Sequence, residues 1–170
     1  MRVCILGGGL SSLTLAKAMV KKKIYVDVIF TKKLKSIDQT RTLGISKSNI
    51  DFFNSNIINI DKIIWKLKKI EIYSDNLKNE KLLNFENDNK QLFSIIKNSE
   101  LYKLINISLS KSKYFNKINI YKKNFLDKYD LIINTDPNHS ITKKYFNKKI
   151  IKKYNSFAYT TVIEHKKNFK

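Results

Sequence analysis

Cysteine, proline, glycine and arginine are all scarce in this chain of 170 residues, and the scarcities exclude several functions. The single cysteine, Cys4, rules out an internal disulfide framework and any CxxC site, which suits a reducing cytoplasm. Set in the apolar run Val3 to Leu6, it reads as a small buried hydrophobe. No segment approaches the ~18 consecutive apolar residues that a membrane helix needs. The start does not read as a signal peptide, because a glycine triplet breaks the apolar run and a strand pattern follows. The only histidines, His139 and His165, have no partners at metal-ligand spacing, so no metal site is expected. His139 reads as an exposed turn residue. No Ser-His-Asp or paired-carboxylate arrangement is present, and no residue is named as catalytic.

Lysine is abundant instead. Only Arg2 and Arg41 of the 34 basic residues are arginine, and the formal charge is +20. Lysine, asparagine and isoleucine share A/T-rich codons, so genome bias accounts for the excess without any ligand. The lysines are spread along the chain, and the Arg fork that reads phosphate and guanine is scarce. A solvated basic surface is expected, with non-specific polyanion binding at low salt and no specific nucleic-acid site.

Three of the four glycines are consecutive, Gly7 to Gly9, and they sit between the Val3 to Leu6 run and a Leu- and Ala-rich pattern reaching Lys21 to Lys23. Strand, tight turn and helix is the arrangement that holds a dinucleotide. Glycine lets backbone approach a pyrophosphate, and the helix N-terminus presents free N–H groups and a positive dipole end. Ile24 to Phe30 reads as the second parallel strand. Such a strand usually ends in an acidic residue that holds a ribose hydroxyl; here it ends in Phe30 and Thr31, and Asp27 lies too early.

Residues 31–42 read as polar and turn-like, and Ser48 to Ile58 as a helix capped by Ser46 or Ser48. A second short helix is expected over Asp61 to Lys68, an antiparallel strand pair at Ile70 to Tyr73 and Leu82 to Phe85, and a strand at Leu92 to Ile96. Asn98 to Ser110 has helical spacing, with Leu101, Leu104, Ile105 and Leu109 on one face. Lys117 to Tyr121, the buried-type run Tyr129 to Asn134, and Ser156 to His165 read as strands. Thr135-Asp136-Pro137-Asn138 is a turn holding the only proline. Trp65, Phe52 and Phe53 sit on helical patterns and are expected to pack in a core or against another domain.

Three stretches in order resemble the flavin-dependent aromatic hydroxylases, with the ubiquinone-biosynthesis hydroxylases most similar: CILGGGLSSLTLAKAM, DQTRTLGISKSNIDFFNS and YDLIINTDPNHSITKKYF. The resemblance covers nearly all of the chain and implies an α/β fold, a Rossmann-like FAD-binding βαβ core with a small additional β-rich part, shortened relative to the family. It implies that residues 1–170 form one FAD-binding domain. Gly7 and Gly9 would face the FAD pyrophosphate, with Ser12 at the third glycine position. Arg41 would meet the flavin phosphates, and Asp136 the FAD ribose. Asn134 and Pro137 stand where the family has glycines.

The implied reaction is hydroxylation of a polyprenyl-phenol-type ring with O₂ and NAD(P)H, in a cytoplasmic protein that associates with a membrane or a biosynthetic complex. The family's third motif falls beyond Lys170, so the chain reads as the N-terminal portion of a monooxygenase. Two other readings stand beside it: a degenerate, non-catalytic nucleotide-binding module or gene fragment, and a basic nucleic-acid-binding protein.

Overall fold

The computed structural model describes residues 1–30, 41–74, 76, 78, 80–86, 91–119, 125–146, 150 and 152–157. At its centre is β1 (Arg2–Leu6), whose residues Val3 to Leu6 are fully buried. A strand covered on both faces needs an unbroken apolar run, which this is. After the glycine turn, α1 (Leu10–Lys21) places Leu13, Ala16 and Val20 on one stripe against the sheet. Lys22 and Lys23 end it, Lys23 with φ 60°, and the chain turns back into β2 (Tyr25–Ile29), parallel to β1 with Val3 opposite Val26.

The chain then leaves this sheet. β3 (Thr42–Ser46) leads directly into α2 (Lys47–Asn56), capped by Ser46, whose Oγ accepts from Asn49 N at 3.3 Å. A 3₁₀ turn (Asp61–Ile63) precedes β4 (Ile64–Leu67) and β5 (Lys69–Tyr73). β6 (Lys81–Glu86), β7 (Phe93–Lys97) and α3 (Asn98–Ser110) follow. β3, β7 and β4 form an antiparallel sheet in that order, and β5 pairs with β6 as a separate antiparallel ribbon. The return brings β8 (Phe115–Ile118), a 3₁₀ turn (Phe125–Lys128), β9 (Leu131–Asn134) and α4 (Ser140–Tyr145).

The main sheet is parallel throughout, in the order β8-β2-β1-β9. Its strand order reverses between β1 and β9, and in open α/β sheets ligands bind at such a switch point. One face carries Val3, Ile5, Val26, Val28 and Phe30 beneath α1 and α3, in the larger apolar core. The other carries Cys4, Leu6 and Ile29 under a thinner cover of Ile118, Leu126, Tyr129 and Ile141.

Several expectations are corrected. Asp61 to Lys68 is not a helix but a 3₁₀ turn and a strand, because β7 offers Ile64 to Leu67 a full set of ladder partners. Leu43 to Ser46, to which the sequence assigned no element, forms a strand for the same reason, and Thr42, expected in the turn-like stretch, begins it. The β8 strand begins two residues earlier than expected, at Phe115. Among the described residues β9 lies at the edge of the sheet, with Leu131 and Ile132 about two-fifths exposed where a buried strand was expected. Trp65 is 59% exposed on β4 under the Lys97 ammonium, and Phe52 is exposed on α2, so only Phe53 packs on the core. Most of the expected strand at Ser156 to His165, and of the turn-like 31–42, lies outside the described residues.

Candidate dinucleotide site

The three glycines have separate jobs. Gly7 has φ +121°, a conformation that side chains resist, and a Cβ there would lie 2.4 Å from Thr135 Oγ1. At Gly8 a Cβ would lie 2.1 Å from the Phe30 ring. Gly9 alone faces open space: nothing would meet its Cβ within 4 Å. It is also the N-cap of α1, and no side chain caps the first-turn N–H groups. An uncapped helix start behind an open glycine fits a diphosphate, as the expectation for Gly9 requires. Gly7 serves packing against the β9–α4 loop.

Ser12 is buried, and its hydroxyl lies beside the glycine turn, 3.2 Å from where a Cβ on Gly7 would stand. Its Oγ lies 2.6 Å from Thr135 Oγ1, and Thr135 Oγ1 donates to Leu6 O at 2.9 Å. Since Thr135 has one proton and gives it to Leu6, Ser12 is the donor between the two hydroxyls. Thr135 N donates to the same carbonyl at 2.9 Å. This chain of bonds clamps α1, β1 and the β9–α4 loop together. It explains why serine stands at the third glycine position. Thr135 itself was invisible to sequence reasoning, because its partner is 123 residues away.

The clamp brings Asp136 to the glycine turn: its N lies 3.4 Å from the Gly7 Cβ position. Asp136 Oδ1 accepts from Asn138 N at 2.9 Å, and Asp136 O accepts from Thr142 Oγ1 at 3.0 Å. Asn134 closes the loop, donating from Nδ2 to Thr142 Oγ1 at 2.6 Å and accepting from Asp136 N at 3.1 Å. His139 is not exposed. It is 7% accessible and caps α4, with Nδ1 accepting from Ile141 N at 3.2 Å. Beside this loop an open cleft of about 1060 Å³ runs between β9 and α4, walled by Ile132, Ile141, Tyr145 and Phe146, with Asn134 and Asp136 also in its lining.

Arg41 is not gathered into this group. It stands exposed before β3, its carbonyl accepting from Asn98 N at 2.9 Å, and no hydrogen bond among the described residues ties it to the glycine turn. The other arginine does the buried work. Arg2 donates from Nε to Asp27 Oδ2 at 3.0 Å, with Nη2 at 2.8 Å. Asp27, 1% accessible, also accepts from Tyr129 OH at 2.5 Å and Asn116 Nδ2 at 3.0 Å. A buried carboxylate needs such a set of donors, so Asp27 is a structural group and is not available to a ligand. Burial, then the nearby Asp27 charge, pushes the Cys4 thiol up to about 12. Burial and the bond to Asp27 also raise Tyr129.

No protein-family model and no curated protein sequence matches the chain. Among solved structures it is similar to PqsL from Pseudomonas aeruginosa, a probable FAD-dependent monooxygenase, with TM-score 0.65 at 12% identity over 91% of this chain and 48% of that one. It is also similar to p-nitrophenol 4-monooxygenase PnpA from Pseudomonas putida, with TM-score 0.56 at 15% identity over 69% of this chain and 31% of that one. A third is 2,6-dihydroxypyridine-3-hydroxylase from Arthrobacter nicotinovorans, with TM-score 0.51 at 17% identity over 68% and 28%. The chain thus spans between 28% and 48% of the length of these proteins. What it shares with them is the fold: a Rossmann-like α/β core with a small additional β-rich part.

Proposed function

We propose that this chain is the FAD-binding portion of a flavin-dependent monooxygenase. The observation that carries the reading is the open space at Gly9 in front of the uncapped N-terminus of α1, at the switch point of a parallel sheet. Gly9 and the first-turn N–H groups would hold the pyrophosphate. Asp136 would lie beside it, fastened by Asn134 and Thr142, and Arg41 would reach the phosphates from the second sheet. Bound FAD would supply the redox and O₂ chemistry, so the protein's share is binding, orientation and exclusion of water. The sequence resemblance further supports a polyprenyl-phenol-type ring as substrate, in ubiquinone biosynthesis, with NAD(P)H as reductant and a membrane or biosynthetic complex as its setting.

A non-catalytic nucleotide-binding module is the second reading, favoured by Phe30 at the position where a ribose-binding carboxylate is usual. The purified chain is expected to take up FAD and show flavin absorbance, and Gly9→Val is expected to abolish uptake without unfolding the protein. A folded chain that stays colourless in excess FAD would remove the FAD reading.

A further inference from the structure

In a dinucleotide site, a carboxylate at the end of the second strand accepts from the ribose hydroxyls and repels a phosphate placed there. Here that position is Phe30. Its ring lies so close to Gly8 that a Cβ on the glycine would fall 2.1 Å from Cδ1, and the residue is 7% accessible. It offers no acceptor. Asp27, the acidic residue within β2, is held by Arg2, Tyr129 and Asn116 on the opposite face of the sheet. Among the described residues, what does reach this corner is a cation. Lys117 on β8 sets its Nζ 4.2 Å from the centre of the Phe30 ring, while its side chain is exposed. Phe30 N donates to Ile118 O at 2.9 Å, which fixes the end of β2 against β8 and so fixes the pair. An exposed ammonium over an aromatic face keeps N–H donors for a further anion.

We propose that the adenosine end of this site favours a ribose carrying a 2′-phosphate over a free ribose diol, with Phe30 and Lys117 setting the preference. The inference rests on the dinucleotide reading above. The charge at the ribose position is reversed relative to a carboxylate site: the diol loses its acceptor, and a phosphate gains an ammonium. Ligands sharing an ADP half are therefore ranked by what stands on the 2′ carbon.

The experiment is calorimetric titration of the full chain with ADP, with 2′-phospho-ADP and with FAD. The phosphorylated nucleotide is expected to bind about fivefold tighter than ADP, a modest but measurable difference. Lys117→Ala, at an exposed position, is expected to erase the difference. Phe30→Glu is expected to reverse it to about tenfold in favour of ADP. Because Phe30 is buried, the lysine variant carries the test by itself if the glutamate variant does not fold. Uptake of FAD with no preference for the phosphorylated nucleotide overturns the inference and leaves the FAD reading standing. A preference that survives Lys117→Ala overturns it as well. A chain that binds neither FAD nor either nucleotide removes both.

Discussion

Single residues here owe their roles to distant partners. The half-exposed Arg2 pairs with the buried carboxylate of Asp27, which Tyr129 and Asn116 complete as further donors. Asp27→Ala is expected to destabilise the fold by about 2 kcal/mol, measured by denaturant unfolding, because it leaves the Tyr129 phenol and the Asn116 amide without their acceptor, while the exposed guanidinium of Arg2 turns to water. Cys4 gives a pH-dependent counterpart. Its thiol is raised from 9.0 to about 12, so the folded state holds the proton more tightly than the unfolded chain. The stability it contributes is complete below pH 9 and declines as pH rises towards 12. At neutral pH the folded protein is expected to resist thiol alkylation, and Cys4 to react only at the rate of unfolding. The glycine triplet makes the same point: Gly8, which faces an aromatic ring, carries a packing constraint that no glycine fingerprint reveals.

At the scale of elements, local pattern and tertiary context disagree most in the β-rich part. Ile63, Ile64 and Leu67 have helical spacing, yet Ile64 to Leu67 forms a strand, since β7 supplies partners that a four-residue helix would lack. The Asn98–Ser110 helix and the β5–β6 pair were legible because each satisfies its own hydrogen bonds locally. That pair also carries an ion pair between its strands, Glu71 to Lys81. Glu71 on β5 is lowered to about 2, first by its bond to Lys81 and then by its bond to Lys69. A depressed carboxyl stabilises above its unfolded value of 4.5 and loses that contribution as pH falls towards 2. Amide exchange in Lys69–Tyr73 and Lys81–Glu86 is therefore expected to accelerate over that interval, before the parallel sheet responds. Simultaneous loss of protection everywhere would contradict it.

Over the whole molecule, two features dominate: a formal charge of +20 and a parallel sheet that, among the described residues, is covered unequally on its two faces. The charge is mostly lysine, which is strongly hydrated and reads no bases. Retention on heparin is expected at low ionic strength and release by moderate salt, with no preference among nucleic-acid sequences in a gel shift. A salt-resistant, sequence-specific complex would contradict the reading of the lysines as solvated surface. No helix among the described residues is long and apolar enough to cross a membrane.

The sequence by itself determined the βαβ start, because strand, glycine turn and amphipathic helix are encoded within about thirty neighbouring residues and depend on short-range sterics and periodicity. It also singled out Gly9 and Asp136 as candidates for one site through their motifs. Only the tertiary structure decided which glycine is open and which are packed, and that Ser12 is a clamp to Thr135. It alone showed that Arg2 neutralises a buried acid, and that Lys117 reaches Phe30. Those facts depend on β8 and β9 returning to flank β2 and β1 from about ninety to one hundred and thirty residues away. Pairing over such separations is set by the packing of the whole sheet, and no local pattern carries it.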